Sequence, residues 1–101
     1  MSVIKINKEN FASEVLNSNK PVLLDFYADW CGPCRMVGPL LEEIAGERPD
    51  IKVVKINVDE ERELAAQFRV MNIPTLAVVK NGEIVNRAVG ARGKDQILSM
   101  L

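Results

Sequence analysis

The chain is 101 residues long and 48% hydrophobic, with 13 Lys and Arg against 14 Asp and Glu, two cysteines and no histidine. That size and apolar content predict one globular domain over residues 1–101, an α/β unit whose single core needs no metal or disulfide staple. No run approaches the ~18 apolar residues of a membrane helix, and a net charge of −1 without a basic cluster leaves no footprint for nucleic acid or anionic lipid.

The first residues, Met1-Ser2-Val3-Ile4-Lys5-Ile6-Asn7, lack a charged segment followed by an apolar core, so no secretory signal is expected and the cytoplasm is the expected compartment. Residues 3–6 read as a short strand and 7–17 as a helix with Phe11, Val15 and Leu16 on one face. After Pro21, the almost wholly apolar run 22–27 reads as a strand covered on both faces, central in its sheet. Residues 33–47 carry Val37, Leu40, Leu41 and Ile44 at amphipathic helical spacing, with Pro39 predicting a kink. Residues 51–58 form a second β-branched run, and 60–68 a short helix with Leu64, Ala65 and Phe68 as its stripe. This alternation implies right-handed crossovers and a parallel centre. Segments 75–80 and 83–89 flank Asn81-Gly82, a strong two-residue hairpin signal, so the sheet is mixed. Residues 94–101 close the chain as a helix with Ile97, Leu98 and Leu101 on one side. The sum is a central mixed sheet of about five strands flanked by about four helices.

With no histidine, Ser-His-Asp and Cys-His catalysis are excluded, and zinc finds only two sulfur ligands. The chemistry then rests on Trp30-Cys31-Gly32-Pro33-Cys34, where the central strand passes into the Pro39 helix. A cysteine at a helix start meets free amides and the positive end of the dipole, which favour thiolate over thiol. Cys31 is therefore the expected reactive thiolate. Cys34, one turn further in, lies within reach and is expected to be more buried and to stay protonated until needed. Gly32 permits the turn and Pro33 suits the first helical position. Half of a zinc site shared between two chains and a structural disulfide are the competing readings of the pair.

Asp25 interrupts an apolar strand. Alternation places it on the face of Leu23 and Tyr27, beneath the Pro39 helix if that helix covers this face. Burial without a partner raises a carboxyl pKa and makes Asp25 a candidate proton acceptor for Cys34; an exposed strand position is the alternative. Lys55, within Val53-Val54-Lys55-Ile56, either approaches Asp25 and moderates that shift or extends its stem to water. Trp30 is either core or an exposed contact surface. Nothing in the local physics calls for a cis bond before Pro74, and Gly90 reads as a turn residue.

Asp25 through Cys34, Pro39, Lys55, Ile73-Pro74-Thr75, Asn81-Gly82 and Val89-Gly90 together resemble the thioredoxin family in identity, order and spacing over nearly the whole chain. The resemblance implies a thioredoxin fold, with Cys31 attacking, Cys34 resolving, and Asp25 with Lys55 assisting proton transfer. It also implies a cis bond before Pro74, packed against the dithiol. The same likeness implies a substrate groove of Trp30, Gly32, Pro33, Ile73, Pro74, Gly90 and Ala91, in which a target peptide pairs extended against Ile73. Tyr27 stands where many bacterial members have a second tryptophan, and Met71-Asn72 replaces smaller residues, altering the rim of the groove.

The expected activity is reduction of disulfides in other proteins by a monomer that binds no cofactor of its own. No GxGxxG occurs, so flavin and NADPH are expected on a partner thioredoxin reductase. An oxidant or isomerase, and a redox-independent binding subunit using the same groove, are the alternatives.

Overall fold

The run Val22-Leu23-Leu24-Asp25-Phe26-Tyr27 lies in the middle of a five-stranded sheet, as its two-sided apolar pattern predicts. The computed structural model describes residues 2–101; Met1, the first residue of the expected domain, lies outside them. The strands are β1 (Ile4–Lys5), β2 (Val22–Tyr27), β3 (Lys52–Asn57), β4 (Thr75–Lys80) and β5 (Glu83–Val89), in the spatial order β1-β3-β2-β4-β5. The β1–β3 and β3–β2 pairs are parallel and the β2–β4 and β4–β5 pairs antiparallel. The helices are α1 (Gly32–Glu47), α2 (Arg62–Gln67) and α3 (Lys94–Leu98). This is the mixed-sheet α/β architecture expected, arranged as a thioredoxin fold. Among the described residues no helix is long and apolar enough to cross a membrane.

Two apolar layers hold the helices to the sheet. On one face Val22, Leu24, Phe26, Val54 and Ile56 pack with Val15, Leu64 and Phe68. The Phe68 ring centroid lies 5.8 Å from that of Phe11 and 5.1 Å from that of Phe26. On the other face Leu23, Val53, Leu76 and Val78 meet Val37, Leu41 and Ile44 of α1 and Ile97 of α3. Alternation along β2 therefore decides which of its residues α1 covers.

The expected helix over 7–17 forms in part, as a capped start that widens into a π-helical turn. Asn7 Oδ1 accepts the amides of Glu9 and Asn10, both at 2.9 Å, and Asn10 Oδ1 accepts that of Asn7 at 2.8 Å. These are the reciprocal bonds of a helix N-cap, with Asn7 as the cap and Asn10 three residues on, and the Phe11 amide on Asn7 O and the Glu14 amide on Asn10 O continue the turn they start. Beyond them the chain makes one wide π-type turn, Ala12–Leu16, closed by the Asn17 amide on Ala12 O. The fourth expected helix is thus a short one, wider than an α-helix over Ala12–Leu16. At the other end α3 stops at Leu98, and the Met100 and Leu101 amides continue it with bonds to the carbonyls three residues back. At the β4–β5 hairpin Asn81 and Gly82 have φ of 53° and 78°, the left-handed pair that a two-residue turn needs.

The C-terminus of α2 depends on a side chain from β5. The Arg87 guanidinium donates to Phe68 O and, at 2.8 Å, to Arg69 O, where Arg69 holds a φ of 55°. Arg87→Met keeps the stem and removes both donors. The expected cost is about 1–3 kcal/mol in urea unfolding; a loss below ~0.5 kcal/mol means that water replaces both bonds.

Candidate active site

Register brings the chemistry to one end of the sheet. Tyr27 lies beside Asn57, Phe26 opposite Thr75, and Thr75 opposite Val89. The segments that leave β2, β3 and β5 and the one that enters β4 therefore meet along one edge. They carry Trp30 to Cys34, Asp59, Ile73-Pro74 and Gly90-Ala91.

Cys31 is the N-cap of α1, with extended φ and ψ of −88° and 109°, and Pro33 occupies the first turn. Its Sγ accepts the Cys34 amide at 3.2 Å and lies 4.0 Å from Ile73 O. That amide is one of the donors a helix start leaves free, so the bond now made to a sulfur of the disulfide is one that a thiolate would strengthen. Cys31 and Cys34 are joined as a disulfide, with Cα atoms 5.3 Å apart. Cys34 is not the more buried partner: the two cysteines are 4% and 5% exposed. The disulfide draws both sulfurs into one pocket with Ala28, Tyr27, Val58 and Ile73, which levels the difference that a helical position alone suggests. Among the described residues no group of three or more His, Cys, Asp or Glu is gathered that could hold a metal ion.

Trp30 is 68% exposed, which decides between core and contact surface in favour of surface. Its Nε1 donates to Asp59 Oδ2 at 2.8 Å, and Arg35 donates to Asp29 O at 2.8 Å, so the loop before α1 is tied at two points. Gly32 and Pro33 are exposed, Ile73 is half-buried and Pro74 buried. The Ile73–Pro74 peptide is cis, as the family resemblance implies. Gly90 has a φ of 98° and donates its amide to Pro74 O at 2.8 Å, and Ala91 beside it is exposed.

Asp25 is buried, 3% exposed, on the sheet face that α1 covers, and its Oδ1 has no hydrogen-bond partner. It lines a cleft of about 510 Å3 with Lys55, Gly38, Pro39, Leu41 and Glu42 among others. Burial pushes its carboxyl from 3.8 up to about 7, while the Lys55 charge pulls it down by less. Lys55 stands beside Asp25 in the β2–β3 register and is half-buried. Among the described residues no ion pair joins them; the Lys55 ammonium instead sits 5.7 Å from the Tyr27 ring centroid. Lys55 therefore acts on Asp25 through space.

Sequence patterning singles out neither Asp59 nor Arg92, whose guanidinium donates to Val89 O at 3.0 Å and to Gly90 O at 3.4 Å. For Asp59 a usable signal exists, because parallel strands end on one side and residues just past β2 and β3 must face each other.

The thioredoxin family model matches residues 2–101. A thioredoxin of Mycobacterium bovis is 54% identical over 101 residues, covering 99% of this chain and 87% of the relative. A thioredoxin of Haemophilus influenzae is 48% identical over 100 residues, covering 98% of this chain and 94% of its own length. A bifunctional thioredoxin reductase/thioredoxin of Mycobacterium leprae is 50% identical over 96 residues, 94% of this chain and 21% of that protein. With a cysteine pair capping a helix beside a cis-proline, and with these relatives spanning the same residues, the chain belongs to the thioredoxin family.

Proposed function

We propose that Cys31 is the attacking thiolate and Cys34 the resolving thiol in the reduction of disulfides in target proteins, with Asp25 as proton acceptor and Lys55 tuning it. The chain is a dithiol–disulfide oxidoreductase that acts by reversible oxidation of Cys31 and Cys34. In the reduced protein the Cys31 thiolate attacks one sulfur of the target disulfide, and the other target sulfur leaves as thiolate. Cys34 then gives its proton to Asp25 and attacks Cys31 Sγ, forming the Cys31–Cys34 bond and releasing the second target thiolate. Two electrons pass to the target. The observation that carries this reading is the position of Cys31 Sγ on the Cys34 amide at the start of the 16-residue helix α1. Cys34 lies inside the helix and has no equivalent place.

The groove is Trp30, Gly32, Pro33, Ile73, Pro74, Gly90 and Ala91, with the target strand pairing to the Ile73 backbone. Support comes from the exposed Trp30 and from the proximity of Ile73 O to Cys31 Sγ. Every one of these groups comes from one chain, which favours a monomer working as a single domain over residues 1–101. Its re-reduction falls to a separate reductase that carries flavin and NADPH. A relative that unites both activities by name supports the pairing. A dithiol kept reduced in this way belongs in a reducing compartment, and we place it in the cytoplasm.

The test is NADPH consumption with a thioredoxin reductase, this protein and insulin as disulfide substrate. Steady turnover that depends on all three is expected. Reduction of insulin without turnover by any reductase removes the proposed partner, and a dithiol more oxidising than the glutathione couple turns the assignment toward an oxidant.

A further inference from the structure

We propose that Arg92 is a positioning residue that fixes the Gly90–Ala91 wall of the groove by supplying hydrogen-bond donors the sheet itself cannot provide. The inference rests on the groove proposed for target binding. In the antiparallel β4–β5 ladder, the Gly90 amide bonds Pro74 O at 2.8 Å, which makes 74 and 90 a hydrogen-bonded pair. The partner bond of such a pair runs from the amide of residue 74 to the carbonyl of residue 90. Proline has no amide hydrogen, so Gly90 O is left without it. Val89, opposite Thr75 at the adjoining non-hydrogen-bonded position, turns its carbonyl to the free edge, because β5 is the last strand.

Arg92 reaches both carbonyls, because Gly90, just past the end of β5 with a φ of 98°, breaks the alternation that would send them to opposite sides of the strand. Its Nε donates to Gly90 O at 3.4 Å and its Nη2 to Val89 O at 3.0 Å. The half-buried side chain folds back along the loop, so one planar guanidinium holds two successive carbonyls. The consequence is local. Gly90 occupies a φ of 98° that only glycine adopts freely, and its freedom to leave that conformation is what Arg92 limits. A proline beside the dithiol creates the vacancy, and an arginine two residues past Gly90 fills it.

Arg92→Met keeps the apolar stem and removes the donors. The expected result is a KM for insulin raised about 3- to 10-fold, with kcat within about twofold, as for a binding surface that must be ordered on each encounter. Hydrogen exchange at the Gly90 amide is expected to rise in parallel. Arg92→Lys retains a donor for one carbonyl and recovers part of the KM, which a purely electrostatic role would recover in full. Trp30→Ala, measured alongside, tests the groove separately, and an unchanged KM there overturns the groove. An Arg92→Met KM within twofold of the parent overturns the positioning role whatever Trp30→Ala does. A fall confined to kcat overturns it as well.

Discussion

Cys31→Ser lowers insulin reduction to background, a loss of at least about 10³-fold, because a serine hydroxyl is far from ionisation near neutral pH and no histidine is present to activate it. Cys34→Ser has a different failure. Its Cys31 thiolate keeps the cap position and the Cys34-position amide, since that donor belongs to the backbone, so attack on the target proceeds. Resolution is lost, and the target remains joined to Cys31 by a disulfide. Non-reducing electrophoresis after mixing with a disulfide substrate is expected to show a dithiothreitol-sensitive adduct with Cys34→Ser and none with Cys31→Ser. Adduct formation by Cys31→Ser alone reverses the two roles and discards the helix cap as the source of reactivity. Near-equal exposure of the two cysteines, 4% and 5%, leaves this contrast to position in the helix.

The strands are legible in the sequence because each has a simple physical signature. β2 is apolar on both faces and sits at the centre, and Asn81-Gly82 forces the hairpin. Alternation puts Asp25 on the face of Leu23, and the packing of Leu23 against Val37 and Leu41 shows that this is the face α1 covers. The segment over 7–17 starts as its helical spacing predicts, capped by Asn7 and Asn10, and departs from it where the backbone widens over Ala12–Leu16. Lys55 has two destinations from sequence, and the structure takes the first: it lines the cleft with Asp25 and moderates its shift, with the ammonium set over the Tyr27 ring. The cis bond comes only through family resemblance. Arg92 is out of reach for another reason: both its partners are carbonyls, which leave no trace in side-chain patterning, and the vacancy it fills exists only once Pro74 and Gly90 are paired.

Stability of the oxidised protein is expected to fall as pH rises from about 4 to 8, and Asp25 is the cause. Its carboxyl titrates near 3.8 in the unfolded chain and at about 7 in the fold, so between those values the native state holds one proton more. The stabilising contribution is complete below the unfolded value and is lost as pH passes through the folded one. The slope reaches about 1.4 kcal/mol per pH unit, and the whole interval amounts to about 4 kcal/mol of charge-burial cost at alkaline pH. Asp25→Asn removes the ionisable proton while keeping the shape. Urea unfolding of the two oxidised proteins should give similar stability below about pH 4 and a gap of a few kcal/mol in favour of the variant above pH 8. Lys55→Met withdraws the one opposing charge and moves the parent's transition to higher pH. A gap that does not vary with pH means that Asp25 ionises in the fold as freely as in the unfolded chain. The same carboxylate that weakens the fold at neutral pH is the group positioned to take the Cys34 proton. Asp25→Asn is therefore expected to slow release of target from the mixed disulfide even as the fold becomes more stable, and stopped-flow quenching of the mixed disulfide measures that step. Stabilisation with no change in the release rate would separate the two roles and leave Asp25 as a burial defect without a part in proton transfer.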